Sequence, residues 1–464
     1  MKLASYFRVA FATTFNIILN ALTLGRYVWL EGRVRKGVFR NWGRRFRYNP
    51  KNFVQPTTEA EIVELVKNSK RLRVFGSAHS FNGGVVVDDT LVSLDRYSGV
   101  ICKDLQKKQL TVRAGTRVRD VVKALLEEGL AFAAQPSHDA QSIAGILSTD
   151  VHGTGKNWGF VSESVVKLKL IDGRGEIFEC GPTDDLFRAA IGGIGAVGII
   201  LEVALQGVDR FNVEQKTEIS DLSFVEDNLE RLLKENDHFS LYLFPFTTKC
   251  QINTWNRTSR AQSLLGTLRE FLSISMDALL AAWFGHLLAY AGLLPALSSL
   301  THSIKKGTNL VLESSEAFNR TIYHLHQELE FTVHFEETFE ACRRFIELYE
   351  KMYSKGLPYT IIEVRFTPAG HDRTLIGAGR ERRSTWIDLV CNDSAGFEKY
   401  YAAAETDIKR NGARPHLGKY CESIDRSDLE RLHRKSFVKF HQLVEKHDPE
   451  DKFANQFTRR LFAA

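Results

Sequence analysis

The stretch from Arg73 to Gly84 contains the residues of this sequence that are best suited to hold a ligand through the backbone. A short apolar run ending at Phe75 predicts a strand, and small residues follow it, with glycines at positions 76, 83 and 84. Small residues let backbone N–H groups approach a ligand closely, and such a nest of amides suits a pyrophosphate. His79 lies in the middle of the stretch. The alternative is a surface hairpin with an incidental histidine.

A second stretch of the same character follows about 70 residues later, from Gln141 to Gly155. It is again small, hydroxylated and glycine-rich, and it again carries a histidine, His152. Two such stretches in one chain favour a phosphate-binding role over two unrelated surface loops.

Charged residues that could act on a substrate lie on a predicted strand, Tyr359–Thr367. Side chains alternate along a strand, so Ile361, Glu363, Arg365 and Thr367 share one face, and mostly apolar residues share the other. The Glu-x-Arg pair has two interpretations. It is either a solvated ion pair of little consequence, or part of the polar wall of a cavity whose apolar side packs on helices.

The motifs Gly-Ser-Ala-His-Ser-Phe-Asn and Val-His-Gly-Thr-Gly resemble the two phosphate-holding loops of the vanillyl-alcohol-oxidase-type flavoproteins, whose fold is also called PCMH-type. They are most similar to the branch that contains the alditol oxidases and the aldonolactone oxidases, and the Glu-x-Arg strand resembles the substrate-facing strand of those enzymes. The resemblance runs from about Pro56 to the C-terminus. It implies an α+β flavoprotein with an FAD-binding PCMH-type domain and an α+β cap domain for the substrate. Strands and helices that mix without a strict βαβ rhythm favour the same class.

The resemblance implies that three segments of the chain contact FAD. In covalent members of the family, the histidine matching His79 bonds the 8α-methyl carbon of the flavin, so His79 makes either that bond or a tight non-covalent contact. His152 is expected to support the second stretch. The implied FAD-binding residues are Gly76, Ser77, Ala78, His79, Ser80, Phe81, Ser142, Gly145, Ser148, Thr149, His152, Gly153, Gly155, Ile199 and Ile200.

By the same resemblance, three residues are expected to carry the chemistry: Glu363, Arg365 and Lys419. Lys419 ends a Pro-His-Leu-Gly-Lys turn that is similar to the family's His-Trp-Gly-Lys, with Leu417 in place of the tryptophan. We expect Arg365 and Lys419 to stabilise negative charge on the reduced flavin and on the substrate alkoxide. Glu363 is expected to hold Arg365 in place and to bond a substrate hydroxyl, and a direct role as a base is the alternative.

A further strand, predicted at Ser384–Cys391, places Trp386 and Asp388 on one face. The alditol oxidases carry a histidine near this point that the sequence lacks. The sequence therefore does not identify the residues that orient the substrate. His416 is expected to be a structural loop residue.

One glycine motif is excluded as a cofactor site. Gly193-Ile-Gly195-Ala-Val-Gly198 matches the Gly-x-Gly-x-x-Gly pattern of dinucleotide-binding folds. That pattern identifies such a site only after a strand and before a helix. Here residues 183–190 have a helical pattern, and the β-branched apolar residues 199–205 predict a strand. The order is reversed, so we exclude a nicotinamide-binding site.

Length and composition limit the remaining possibilities. The 464 residues predict two domains. Lys and Arg exceed Asp and Glu by 62 to 56, without the basic stripe that nucleic-acid binding needs. The six cysteines include no Cys-x-x-Cys pair, so no metal site and no disulfide framework are expected. We predict an N-terminal segment at 1–50, the FAD-binding domain at 51–207, the cap domain at 208–430, and at 431–464 a segment that returns to the FAD domain.

Two apolar segments bear on localisation. Val9–Gly25 has no charged residue and precedes a cluster of arginines, a pattern shared by a signal peptide, a signal anchor, an interfacial helix and a packed helix. In the cap domain, the apolar region 271–300 is either a buried helix pair or a surface that docks on lipid or on a second subunit. We favour association with a membrane surface, peripheral or monotopic, with the flavin domain on the cytoplasmic side. The alternative is a soluble cytoplasmic protein.

The function implied by the resemblance is an FAD-dependent oxidoreductase. It would oxidise a hydroxyl of an alditol, an aldonolactone or a related polyol by hydride transfer to flavin N5, and oxygen, quinone or another acceptor would reoxidise the flavin. One alternative is a membrane-associated oxidase of a lipid-linked sugar, similar to the decaprenylphosphoryl-ribose oxidases. A second is a flavin-binding protein without turnover.

Overall fold

The computed structural model describes residues 32–262, 291–296, 307–319, 325–353, 357–393 and 395–463, with residues 18, 266, 272, 288 and 298 as isolated positions. Helices and mostly antiparallel sheets occur together in both halves of the chain, which confirms the α+β class. Residues 1–31 of the predicted N-terminal segment 1–50, except residue 18, and most of the apolar region 271–300 lie outside the described residues. None of the helices in the described part of the chain has the length and apolar character needed to span a bilayer.

The first half of the chain forms the unit that carries both glycine-rich stretches. Its strands are β1 (Arg33–Arg35), β2 (Val38–Arg40), β3 (Arg47–Tyr48), β4 (Asn52–Val54), β5 (Leu72–Phe75), β6 (Thr90–Ser93), β7 (Val100–Asp104), β8 (Gln109–Arg113), β9 (Leu130–Ala131), β10 (Val165–Ile171), β11 (Ile177–Cys180), β12 (Ile199–Gln206) and β13 (Val208–Asp209). Its helices are α1 (Glu59–Asn68), α2 (Val118–Glu127), α3 (Ile143–Ser148) and α4 (Asp185–Ala190).

Two sheets organise this first unit. A small parallel sheet has the order β4-β6-β5, and an antiparallel sheet has the order β11-β10-β12-β8-β7. Helix α1 begins where the hydroxyl of Thr58 accepts a hydrogen bond from the Glu61 N–H, as its capping motif predicts. Helix α4 precedes the glycine turn at 193–198 and β12 follows it, which confirms the reversed order predicted there.

The second half of the chain forms the cap unit, built on one eight-stranded antiparallel sheet. Its strands are β14 (Asn212–Asp221), β15 (His238–Leu243), β16 (Lys249–Thr258), β17 (Thr308–Glu313), β18 (His326–His334), β19 (Thr360–Thr367), β20 (Ser384–Asn392) and β21 (Arg414–Pro415). The order in the sheet is β17-β14-β16-β15-β19-β20-β18-β21. Its helices are α5 (Leu222–Glu235), α6 (Ser314–Phe318), α7 (Thr338–Lys351), α8 (Phe397–Asn411), α9 (Arg426–His433), α10 (Lys435–His447) and α11 (Gln456–Phe462).

The predicted alternation of side chains holds along β19. Ile362 and Val364 are fully buried in the hydrophobic core, whereas Glu363 and Arg365 face the opposite side of the sheet and line a cavity. Helices α7 and α8 cover the apolar side, with Phe345 and Tyr400 buried beneath them. The sheet therefore has one face for stability and one face for a ligand.

The C-terminal residues lie against the first unit. The buried guanidinium of Arg73, at the end of β5, donates to three backbone carbonyls, those of Gly84 at 2.6 Å, Ile194 at 2.7 Å and Phe453 at 2.7 Å. The side-chain amide of Asn455 also donates to the Gly84 carbonyl at 3.1 Å. These bonds hold the first glycine-rich stretch, the 193–198 turn and the C-terminal segment together.

Candidate active site

The two glycine-rich stretches and the polar face of the cap sheet enclose one cavity of about 810 Å³. Segments 72–85 and 134–154 and the 194–200 turn form its wall on the first unit. Strands β14 to β20 and the turn at 416–419 form its wall on the cap. The predicted FAD-binding and catalytic residues therefore face one another across a single space, although they are far apart in the sequence.

The structure places the three predicted catalytic residues and all the predicted FAD-binding residues except Gly155 on the wall of this cavity. Gly155 lies outside the lining. It forms an isolated bridge with His238, and a Cβ at this position would be 2.7 Å from the Trp158 carbonyl oxygen. Its neighbour Thr154 lines the cavity in its place.

The first stretch holds His79 in a partly buried position. Ala78 has a left-handed backbone with φ of +52°, which turns the chain sharply before the histidine. The imidazole of His79 stacks on Trp42 with ring centroids 5.3 Å apart, and it meets His138 edge-on at 4.2 Å. Burial lowers the pKa of His79 well below its ordinary value, and His138 and Arg117 lower it further. His79 is therefore a neutral imidazole.

Trp42 comes from the N-terminal segment, which the sequence analysis set apart from the FAD-binding domain. Its backbone N–H donates to the Ala78 carbonyl at 2.9 Å, and the Gly32 N–H donates to the Ser77 carbonyl at 2.8 Å. Residues 32–50 thus pack directly on the first stretch. No sequence signal marked Trp42, because a lone tryptophan among arginines has no periodicity to interpret.

The second stretch is partly a helix, which the sequence analysis did not predict. Ser142 caps α3 by accepting from the Gly145 N–H at 3.3 Å. The chain then turns through Asp150, whose φ is +52°, into His152. The imidazole of His152 stacks on Trp386 of β20 at 3.6 Å and donates from Nε2 to Oε1 of Glu330 at 3.0 Å. The expected supporting role of His152 thus includes a link to the cap.

The residues on the first unit fit a dinucleotide cofactor. A Cβ on Gly76 would lie 2.0 Å from the Ser142 hydroxyl, so the two stretches pack together only because position 76 is a glycine. Nε2 of His79 and Oε1 of Gln141 are buried and make no hydrogen bond with the described residues, although both side chains line the cavity. Buried polar atoms of this kind indicate a missing partner. FAD would satisfy both, with its pyrophosphate against the backbone of the two stretches.

The cap side of the cavity carries a buried cluster of charges. The guanidinium of Arg365 donates to Oε1 of Glu330 and, at 3.2 Å, to Oδ2 of Asp388. The ammonium of Lys419 donates to Oε2 of Glu328 and, at 3.2 Å, to the same Oδ2 of Asp388. Arg365 and Lys419 expose only 13% and 18% of their side chains, so this positive charge is held in place and largely out of water.

The acidic neighbours keep both cations charged. Burial acts to lower the pKa of Arg365, but Glu330, Glu363 and Asp388 raise it above its ordinary value. Burial likewise opposes protonation of Lys419, and Asp388, Glu328 and Glu330 raise the pKa of that ammonium. The cavity wall therefore offers two permanent positive charges to a group that becomes negative.

One predicted role was wrong in its detail. Glu363 was expected to hold Arg365, but the hydrogen bonds of Arg365 run to Glu330 and Asp388. Glu363 stands two residues before Arg365 on the same face, and its register partner on β20 is Asp388. Its carboxylate lines the cavity and is free to accept from a ligand.

The acidic residues of β18 were not predicted from the sequence as part of the site. Glu328 and Glu330 alternate with apolar residues in His326-Gln-Glu-Leu-Glu-Phe-Thr-Val, and a period of two is the signal that could have revealed them. His416 also lines the cavity, where Nδ1 accepts from the Gly418 N–H at 3.0 Å. Burial lowers the pKa of His416 to about 4, so this ring shapes the turn as a neutral group. In the described part of the chain, no cluster of His, Cys, Asp and Glu could hold a metal ion.

A phosphate-binding unit and a polar cap sheet that close on one cavity define a two-domain flavoprotein oxidoreductase of the PCMH type. Residues 50–181 match the family model described as FAD binding domain. Residues 203–461 match the model described as D-arabinono-1,4-lactone oxidase, and the chain belongs to this family. The predicted resemblance is thereby confirmed, together with the cofactor FAD and the oxidation of CH–OH groups.

Two relatives match almost the whole chain. It is 27% identical to the L-gulonolactone oxidase of Mus musculus, over 92% of this chain and 99% of the relative. It is 26% identical to the L-gulono-1,4-lactone dehydrogenase of Mycobacterium tuberculosis, over 91% of this chain and 99% of the relative. Among solved structures, the cholesterol oxidase of Brevibacterium sterolicum has a TM-score of 0.71 at 14% identity and covers 93% of this chain and 97% of that chain. At that identity the likeness shows the fold alone.

Proposed function

We propose that the substrate is an aldono-1,4-lactone and that oxygen is the electron acceptor. The observation that carries this proposal is the placement of Arg365 and Lys419, two buried cations on a cap wall that faces the FAD-binding stretches. The family and the names of the relatives support a sugar-lactone substrate. Bound FAD supplies the hydride acceptor.

The residues of the chain supply position and charge. Arg365 and Lys419 stabilise the negative charge that develops on the oxygen of the reacting hydroxyl and on the reduced cofactor, in a space with little water. Glu363 accepts a hydrogen bond from a substrate hydroxyl, because its carboxylate lines the cavity beside them. The imidazole rings of His152 and His416 fix the loop and the turn that border the site.

The test is turnover by purified protein with L-gulono-1,4-lactone and D-arabinono-1,4-lactone, measured as oxygen uptake. The matched alditols and free aldonic acids serve as comparison substrates. Oxidation of at least one lactone with oxygen uptake is expected. Turnover with an artificial quinone and none with oxygen would overturn the proposed acceptor, and no turnover of any lactone would overturn the proposed substrate class.

We also propose that FAD is attached covalently through His79. The neutral ring lines the cavity, and its buried Nε2 makes no hydrogen bond with the described residues. A neutral imidazole nitrogen has the lone pair that a C–N bond requires. In acid-denatured protein the yellow colour should stay with the chain, and the peptide that contains His79 should carry the mass of FAD. His79→Ala should release the colour on denaturation, whereas His334→Ala, at an exposed residue, should not.

Membrane association remains a proposal that rests on the sequence pattern of residues 1–50. We propose that this segment lies on an anionic membrane surface, with the flavin domain on the cytoplasmic side. Membranes washed with high salt should keep the protein, and detergent should release it. Release by salt alone would show that no apolar insertion holds it.

A further inference from the structure

Asp388 lies between two other acidic residues on the cavity wall. In the cap sheet its register partners are Glu330 on β18 and Glu363 on β19. Adjacent strands are ~4.8 Å apart, so three carboxyl groups form one row across three strands. Asp388 and Glu330 each expose only 1% of their side chains. Three ionised carboxylates in such a row would repel one another with little water to screen them.

The cations of the cluster already have their own carboxylate partners. Arg365 is paired with Glu330 and Lys419 with Glu328, so Asp388 is the third buried carboxyl group beside two positive charges. Burial raises the pKa of Asp388 well above its ordinary value, Lys419 opposes that rise, and Glu328 and Glu330 add to it. Among the three carboxyl groups that contact these cations, Asp388 is the one whose pKa is raised, since the pKa values of Glu328 and Glu330 are held below their ordinary values.

The contacts also show which oxygen of a neutral Asp388 would carry the proton. Oδ2 of Asp388 accepts from both Arg365 and Lys419, at 3.2 Å in each case. Oδ1 is buried and makes no hydrogen bond with any residue that the structure describes. An oxygen that already accepts from two donors is the poorer site for a proton, so the O–H group of a neutral Asp388 would be at Oδ1. Nε of Arg365, also buried, is a second donor without a hydrogen bond in the described part of the chain.

We propose that Asp388 is a neutral carboxylic acid whose Oδ1–H donates to the ring carbonyl oxygen of a lactone, and that this bond makes the site prefer lactones over open-chain polyols. This inference rests on the proposed function. A carbonyl oxygen has two lone pairs and no hydrogen, so it satisfies Oδ1–H and Arg365 Nε–H together. A hydroxyl in the same place would bring a hydrogen of its own and would need a further acceptor.

The titration of Asp388 depends on the groups that surround it. From β18 these are Glu328 and Glu330, from β19 Glu363 and Arg365, and from the turn after β21 His416 and Lys419. His152 faces the cluster from the FAD-binding unit and bonds Glu330. As the pH rises through the pKa of Asp388, the donor at Oδ1 is lost, and the preference for lactones should be lost with it.

The experiment compares wild type, Asp388→Leu and Asp388→Asn with a lactone and with the alditol of the same carbon skeleton. Asp388→Leu should lower kcat/KM for the lactone at least about tenfold more than for the alditol, because it removes the donor. Asp388→Asn should recover most of that preference, since its N–H replaces the O–H. The wild-type preference should fall as the pH rises through the pKa of Asp388, and that fall should be absent in Asp388→Asn. Equal losses for both substrates in both variants would overturn the proposal.

A binding measurement separates this inference from the proposed function. γ-Butyrolactone has the ring carbonyl and no hydroxyl to oxidise, and tetrahydrofuran has the same ring without the carbonyl. Their dissociation constants, read from the visible spectrum of the bound flavin, should differ in wild type and converge in Asp388→Leu. One outcome is that wild type oxidises lactones while Asp388→Leu changes neither the kcat/KM ratio of lactone to alditol nor the ratio of the two dissociation constants. That result refutes the role of Asp388 and leaves the proposed function standing. If Asp388→Leu fails to retain FAD, the pH profile of Asp388→Asn decides alone.

Discussion

His152 in the FAD-binding unit donates to Oε1 of Glu330 in the cap sheet at 3.0 Å, and the same oxygen accepts from Arg365. One buried carboxylate thus fixes both the second glycine-rich stretch and the cation of Arg365. Burial acts to raise the pKa of Glu330, but Arg365, His152 and Lys419 hold it well below its ordinary value. Glu330 is therefore an ionised group that links the FAD-binding unit to the cap sheet.

Glu330→Gln should reduce both stability and activity. It removes the charge that balances Arg365 in a buried place, and breaking such a pair typically costs about 3–5 kcal/mol. We expect a lower urea midpoint and a fall in kcat of at least about tenfold, with FAD still bound. Glu336→Gln, at an exposed residue after β18, is the matched control and should behave as wild type. A Glu330→Gln enzyme with wild-type kcat would show that Arg365 needs no such support.

Arg365→Ala should remove transition-state stabilisation without removing the cofactor. Loss of one preorganised donor costs about 10²–10³ in kcat, so kcat/KM for the lactone should fall by at least that range. Arg365→Lys should have a smaller effect, because it keeps the positive charge and loses only the planar guanidinium with its two parallel N–H donors. Arg231→Ala, on the exposed face of α5, is the control. Turnover measured together with the absorbance of bound flavin separates an effect on catalysis from an effect on cofactor binding. Unchanged turnover in Arg365→Ala would contradict a catalytic role for Arg365.

Gly76→Ala should abolish FAD binding, because the new Cβ would overlap the Ser142 hydroxyl, 2.0 Å away. Ser142→Gly removes that hydroxyl and costs the cap of α3 only a few tenths of a kcal/mol. The double variant should therefore bind FAD better than Gly76→Ala alone. Flavin content after purification measures this coupling. If Ser142→Gly worsens Gly76→Ala, the two stretches do not pack as described.

Acid pH should destabilise the protein through histidines whose pKa is lowered by burial, and the partly buried His238 tests this. Burial lowers the pKa of His238 from 6.5 to about 4. The unfolded chain then binds a proton that the folded chain does not, so stability is complete above pH 6.5 and is lost as the pH falls towards 4. Between pH 8 and 5 this one residue should account for about 2 kcal/mol of the loss.

His238→Asn should show a smaller fall in the free energy of unfolding over that range, measured by urea titration at each pH. The exposed His334→Asn is the matched control. An equal change of slope in both variants would assign the effect to something other than burial at position 238.

Local patterns predicted most of the elements that carry the site. The apolar run before Gly76 predicted β5, the capping motif at Thr58 predicted α1, and alternation predicted which face of β19 holds Glu363 and Arg365. Each of these depends on neighbours within a few residues, which a sequence displays directly. The two-domain flavoprotein class followed from motif resemblance and is confirmed by the family match.

Pairings across the fold could not be read in the same way. Glu330 meets Arg365 because β20 lies between β18 and β19 in the sheet, and strand order is not written in the spacing of either segment. Trp42 reaches His79 through a backbone bond between distant segments. These contacts depend on tertiary topology, so the partner of Arg365 was predicted wrongly, although its face of the sheet was predicted correctly.

The hydrogen bonds of Arg73 join three segments that lie far apart in the chain. The guanidinium of Arg73 makes its third backbone hydrogen bond only when the carbonyl of Phe453, 380 residues further along the chain, is in place. A chain that ends before Phe453 lacks this carbonyl and leaves one buried N–H group of Arg73 without its partner. We expect such a truncated chain to retain less FAD than the full chain.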